Sequence, residues 1–178
     1  GRFHKVKGVD VLIDAINLIK NNDSLKQVKI VIMGADFGYE KKMEEKINQL
    51  HLSDNFLIIK KPPRKDVISA YSLCKFSVLP SRWELSPLTP LEVFACKKTV
   101  ISTTAHGIPY TIKNNENCLL VPPSDPQKLA DAILDLLDNP DKCKKLAKSG
   151  YDMVVNEGNL YSMARNMFSI YEKILNKD

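Results

Sequence analysis

The sequence predicts an α/β fold: a doubly wound open parallel sheet followed by C-terminal helices, in a single domain spanning residues 1–178. Three observations predict it. Short apolar runs alternate with segments whose apolar residues recur every 3.6 positions, so strands and helices take turns along the chain. The runs are apolar throughout rather than at every second position, as parallel strands covered on both faces require. Beyond residue 124 the strands stop and helical patterns follow one another.

Taken in order, residues 1–8 read as a loop, and Val9, Leu12, Ile13, Ile16 and Ile19 mark the first helix. Val28–Met33 reads as a strand, Met43, Ile47 and Leu50 as the next helix, and Phe56–Ile59 as the next strand. Val67, Ile68, Ala70 and Tyr71 mark a third helix, which leads into Phe76–Leu79. Thr99–Ser102 and Cys118–Val121 complete the strands, joined by right-handed crossovers. Asp125-Pro126 and Asn139-Pro140 each set a capping side chain before a proline at the first helical position. They open helices over residues 125–138 and 140–155, and a last one covers 159–175. In that last helix Leu160, Met163, Ala164, Met167, Phe168, Tyr171, Ile174 and Leu175 form one apolar stripe, which either packs on the sheet or waits for a further domain.

Composition removes several function classes. With 44% hydrophobic and 26% charged residues in 178, the chain is neither disordered nor fibrous. A domain of this length buries roughly 70% of its unfolded surface and needs no disulfide or metal to fold. No apolar run approaches the ~18 residues of a membrane span, and no secretory leader is present. The chain opens at Gly1 rather than Met and reads as a piece whose N-terminal part is missing. Cys74, Cys96, Cys118 and Cys143 lie more than 20 residues apart and form no C-x-x-C pair. They read as free thiols of a reducing cytoplasm, with no metal site. Lys and Arg number 26 against 21 Asp and Glu, a net charge of +5 that is scattered and not interleaved with aromatics. Nucleic acid is therefore not a partner, while an anionic ligand or lipid surface fits.

In open α/β sheets the ligand lies beyond the carboxyl ends of the strands, which here means the loops starting near Gly34, Lys61, Ser81 and Thr103, and residues 1–8. The first loop, Gly1-Arg2-Phe3-His4-Lys5-Val6-Lys7-Gly8, carries Arg2 and Lys7 just before a helix N-terminus. Two such cations beside free backbone N–H groups suit a diphosphate, although the bare pattern also fits a basic surface loop. The second element runs from Pro80 to Glu92 and places Glu84 over a strand end and Glu92 in the first turn of the next helix. Both carboxylates can face one crevice. Locally, Thr89-Pro90-Leu91-Glu92 is also a capping box, with Thr89 at the N-cap and Glu92 reaching back to an N–H. Trp83 reads as packing, and His4, His51 and His106 as solvent-exposed or locally bonded.

Together these segments resemble the C-terminal, nucleotide-sugar-binding domain of the retaining GT-B glycosyltransferases, the group 1 family that includes glycogen and sucrose-phosphate synthases. Gly1-Arg2 and Lys7-Gly8 match its Gly-Arg-x-x-x-x-Lys-Gly loop, and Pro80-Ser81, Glu84, Leu88 and Glu92 match its Pro-Ser-x-x-Glu element and second Glu in register. Phe94-Ala95-Cys96 with Thr99-Val100-Ile101 resembles the continuation into the next strand. Thr104, Gly107 and Pro109 resemble its Gly-Gly-x-Pro-Glu loop.

The resemblance implies one Rossmann-like half of a GT-B fold and transfer of a glycosyl group from a nucleoside diphosphate sugar to an acceptor hydroxyl with retention, without metal or other cofactor. In the roles it implies, Arg2 and Lys7 hold the diphosphate and neutralise the leaving phosphate. Glu84 bonds donor-sugar hydroxyls, and Glu92 accepts both ribose hydroxyls. Backbone N–H groups of Ser86, Leu88 and Thr89 touch phosphate or sugar, and the base rests near Lys61–Arg64. The acceptor, a glycan or a lipid-linked sugar, would be held by the protein's own N-terminal domain, so the isolated piece is expected to be inactive. A cytoplasmic place, with contact to the inner face of the cell membrane through the positive surface and terminal amphipathic helix, is compatible with this.

Departures stand beside the matches. Leu85-Ser86-Pro87 replaces the usual Gly-Phe-Gly, and Pro87 removes a donor. Ala105-His106 stands where glycines are usual, and Tyr110 where Glu is. Alternative readings are a GT-B-shaped sugar-nucleotide epimerase, a pyridoxal-phosphate phosphorylase, and a non-catalytic dinucleotide or phosphoacceptor module. No lysine stands in the context that pyridoxal phosphate needs, and Gly34-Ala35-Asp36-Phe37-Gly38 is not G-x-G-x-x-G.

Overall fold

The computed structural model describes residues 1–26 and 28–176, so the expected domain end at 178 falls just outside the described residues. Parallel strands and helices alternate as the apolar pattern requires. A short strand β1 (Arg2–Phe3) leads through a 3-10 turn into α1 (Val9–Ile19). Then come β2 (Ile30–Asp36), α2 (Glu40–Gln49), β3 (Phe56–Lys60), α3 (Arg64–Leu73) and β4 (Ser77–Leu79). After these follow α4 (Thr89–Ala95), β5 (Val100–Thr103), α5 (Ile108–Thr111) and β6 (Cys118–Val121). The chain closes with α6 (Pro126–Asp138), α7 (Pro140–Asn156) and α8 (Leu160–Leu175). Neither β1 nor α5 is announced by the apolar pattern, because both are too short to show a period.

The strands form two three-stranded parallel ladders, ordered β1-β2-β3 and β4-β5-β6. Ile30 stands opposite Phe56 and Gly34 opposite Lys60 in the first, and Val100 opposite Cys118 in the second. β1, only two residues long, pairs in parallel with β2, Arg2 opposite Ala35 and Phe3 opposite Asp36. The two ladders meet through their exit loops, where the Arg82 N–H donates to the Val6 carbonyl at 2.8 Å.

Two apolar clusters flank the second ladder. Ile101, Leu119 and Val121 face one cluster with Phe3, α1, α2 and α6, while Val100 and Cys118 face another with Val93, Phe94, Ile108 and Ile112. These strands are buried on both faces, as expected. The first ladder departs from that expectation. Val31 and its neighbour Leu57 remain 45% and 51% exposed, because α1, α2 and α6 gather on one side and leave the other face of β2 and β3 open.

Helix ends follow the capping chemistry in part. The Asp125 carboxylate accepts the Lys128 N–H at 2.9 Å, as predicted. Asn139 makes no such cap; its amide donates back to the Asp135 carbonyl. No residue of α8 is buried, and Leu160, Phe168 and Leu175 are 70%, 65% and 81% exposed, so its stripe does not pack on either ladder. Among the described residues no helix is long and apolar enough to cross a membrane. All four cysteines are free, and burial pushes the Cys118 thiol up to about 12.

Candidate functional site

The crevice is built at the carboxyl rim, where the 4–8 loop meets the loop after β4. Gly8 starts α1 with φ at 67°, a left-handed conformation that favours glycine. A Cβ there would stand 1.9 Å from the Pro80 carbonyl oxygen. The close backbone approach brings Lys7 over the start of the Pro80–Glu92 element. Arg82 then fastens the two loops: its guanidinium makes two 2.7 Å bonds to the Asp10 carboxylate and another to the Lys5 carbonyl. Asp10 loses solvation there, yet the Arg82 bonds prevail and hold its carboxyl below the ordinary range. Neither Arg82 nor Asp10 was foreseen, since residues 72 positions apart leave no spacing signal.

Within this frame Lys7 donates to Glu84 Oε1 at 2.5 Å, with side chains only 21% and 14% exposed. The Ser81 hydroxyl donates to the same oxygen at 2.9 Å. Glu84 thus faces inward, one oxygen held by a cation and a hydroxyl. The Glu84 carbonyl accepts the Gly107 N–H at 2.9 Å, tying in the loop after β5. Gly107 is the only residue type that fits: a Cβ would lie 1.5 Å from the Leu85 carbonyl oxygen. His106 beside it takes φ 44°, the left-handed region usually given to glycine, and its ring lies 5.9 Å from Trp83.

Glu92 overturns its local reading as a cap. α4 starts one residue earlier than the capping box requires, with Leu88 at the N-cap position and no side-chain cap bond. Pro90 is therefore the second helical residue, and among the described residues no bond from the Glu92 carboxylate to the helix end is formed. It accepts from Arg64 Nη2 at 2.8 Å across the crevice, a partner that local pattern could not supply. The Gly1 amino group donates to the Met33 carbonyl at 2.7 Å, and burial first and Lys7 second hold it below its ordinary range against the opposing effect of Glu92. Lys7 and Glu84 are thus paired at the carboxyl rim, and Glu92 is paired with Arg64.

Arg2 stands apart. Its guanidinium rests 5.6 Å from the Phe37 ring centre, and it forms no ion pair among the described residues. The N–H groups of Ser86 and Leu88, in an exposed loop, and of Thr89, which opens α4, meet no acceptor among the described residues. Leu85 and Leu88 are 67% and 66% exposed, and Tyr110 88%. Gly34-Ala35-Asp36 belongs to β2, and the Asp36 carboxylate itself accepts from Tyr39 and Glu40 at the start of α2. A dinucleotide pyrophosphate would need that position, so this turn is not a dinucleotide fingerprint.

Parallel ladders with rim loops locked in this way place the chain among the GT-B glycosyltransferases. It belongs to the glycosyl transferases group 1 family, whose model matches residues 1–153. It is 33% identical over 153 residues to an uncharacterized glycosyltransferase of Methanocaldococcus jannaschii, a match covering 84% of this chain and 40% of that protein. Sucrose-phosphate synthase from Thermosynechococcus elongatus superimposes with a TM-score of 0.86 at 27% identity, over 100% of this chain and 45% of the other. The C-terminal domain of a group 1 glycosyl transferase from Francisella tularensis gives 0.81 at 28% identity, covering 90% and 84%. The chain thus spans less than half the length of the first two.

Proposed function

We propose that this chain is the C-terminal, donor-binding half of a glycosyltransferase that moves a sugar from a nucleoside diphosphate sugar to an acceptor hydroxyl with retention of configuration. The observation that carries the reading is the Lys7–Glu84 pair, little exposed at the carboxyl rim of the parallel strands. Lys7 supplies positive charge where the leaving diphosphate grows negative, so no metal is required for that task. Arg2 joins it by leaving Phe37, a contact held only by cation–π attraction. Glu84 keeps an oxygen for donor-sugar hydroxyls. Glu92 accepts the ribose hydroxyls, and the free N–H groups of Ser86, Leu88 and Thr89 meet phosphate or sugar oxygens.

The apolar α8 and the exposed Leu85, Leu88 and Tyr110 are the surfaces an N-terminal acceptor domain would cover. By this reading the isolated chain binds nucleotide weakly and turns over no substrate. The similarity of 90% of this chain to the C-terminal domain of the Francisella tularensis glycosyl transferase supports that assignment. Calorimetry with UDP, GDP and ADP tests it: one of them binds in the millimolar range or tighter. Absence of binding by all three at millimolar concentration would falsify the donor-site reading.

A further inference from the structure

We propose that Trp83 and His106 form an aromatic corner that receives a pyranose ring of the acceptor. The proposal rests on the donor-site reading above and names the acceptor class: a glycan that presents a sugar ring, as opposed to an open-chain polyol.

Two observations set these side chains apart. Trp83, the single tryptophan of the chain, is 46% exposed although it adjoins the inward Glu84. Burying so large a ring is favourable, so leaving it open at the rim is a cost that a bound partner removes. His106 holds φ 44°, a left-handed conformation that glycine adopts freely and histidine adopts under strain. Its exposed imidazole lies 5.9 Å from the indole and is tilted by 60°. Rings tilted in this way do not stack on each other and form a corner. The corner is also fixed relative to Glu84. The buried Thr103 hydroxyl donates to the Ser81 carbonyl at 2.6 Å, and the Gly107 N–H donates to the Glu84 carbonyl at 2.9 Å. These bonds lock the loop after β5, which carries His106, onto the loop after β4, which carries Trp83.

Burial decides which sugar the corner meets. Glu84, 14% exposed and held by Lys7 and Ser81, takes the donor sugar in the reading above. The more open corner beside it is where a second substrate arrives from solvent. A pyranose ring has an apolar C–H face that suits an aromatic ring. Its hydroxyls suit the indole N–H and the imidazole nitrogens. An open-chain polyol offers the hydroxyls without the face.

The test saturates the full chain with whichever of UDP, GDP or ADP binds. It then titrates methyl α-D-glucopyranoside, methyl α-D-mannopyranoside and sorbitol, read by saturation-transfer NMR and by Trp83 fluorescence. At least one glycoside is expected to bind in the millimolar range and to shift the Trp83 emission, while sorbitol does neither. His106→Gly relieves the strained backbone, so its melting temperature should be equal or higher, yet it should weaken the glycoside about threefold. By NMR, Trp83→Ala should weaken it about tenfold, with Trp83→Phe recovering most of the loss. Affinity for the nucleoside diphosphate and for its glucose and mannose conjugates should stay unchanged in His106→Gly. Equal binding of sorbitol, glycoside affinity unmoved in His106→Gly, or a loss of nucleotide-sugar affinity in that variant would each overturn the proposal. If none of the three nucleotides binds, the donor-site reading falls and this proposal with it. If a nucleotide binds and no glycoside does, only the role of the corner falls.

Discussion

Glu84 and Glu92 are two carboxylates of one short element, held in opposite ways. Glu84 lies on the loop, 14% exposed, gripped by Lys7 and Ser81 and tied through its carbonyl to Gly107. Glu92 lies in the first turn of α4, 29% exposed, and among the described residues its carboxylate bonds only to the solvated Arg64. A charge that is mostly buried needs a permanent partner, since losing it leaves desolvation uncompensated. A more open one can change partners cheaply. The difference separates a built-in part of the crevice from an adjustable one, and substitutions should separate them too.

The largest effect is expected at the buried pair. Lys7→Ala in the full-length transferase should lower kcat/KM about 100-fold, because it removes a positioned cation at the developing charge. Steady-state rates within twofold of wild type would remove Lys7 from the site. Next comes the frame beneath it. Gly8→Ala should cost about 2 kcal/mol in urea unfolding, through its left-handed φ and the clash with the Pro80 carbonyl. An unchanged midpoint would show that the two loops do not depend on this contact.

On the adjustable side, Glu92→Gln should shrink the preference for whichever of UDP, GDP or ADP binds over its 2′-deoxy counterpart by about tenfold while sparing stability. Loss of affinity for both nucleotides alike would mean that Glu92 does not read the ribose. The smallest effect belongs to the fastening outside the crevice. Asp10→Asn should cost about 1 kcal/mol at neutral pH, a charge-assisted bond discounted for partial exposure. Its pH dependence has a definite sign. The folded Asp10 carboxyl titrates below its unfolded value, so its contribution is present above pH ~4 and fades as pH falls through the lowered folded value. Wild type and Asp10→Asn should therefore converge in stability at acid pH, and a gap that widened on acidification would contradict the Arg82 bond as its cause.

Most of the fold was legible because periodicity is a local property. β3, β6, α1 and α6 fall within a residue or two of their predicted bounds, each long or apolar enough to repeat its pattern. The errors have physical reasons. β1 hides in a loop because it spans two residues. The open face at Val31 and Leu57 escaped because an apolar run reports what could be covered, not which helix arrives. At the site, family resemblance pointed to Lys7 and Glu84, which the structure pairs, to Glu92, which it pairs with Arg64, and to Arg2, whose guanidinium lies over Phe37. Glu92 as a cap was a sound local reading that failed when α4 began at Thr89 with Leu88 before it.

What the sequence determined by itself is the alternation of strand and helix, the rim that carries the loops, and the residue types offered there. These depend on spacing within a few positions. Partnership was decided by the tertiary structure. Arg82 takes Asp10, Lys7 takes Glu84, and Arg64 takes Glu92, each across 28 to 77 residues. Charge pairing at such separations depends on how ladders and loops converge in space, and no local pattern carries that information.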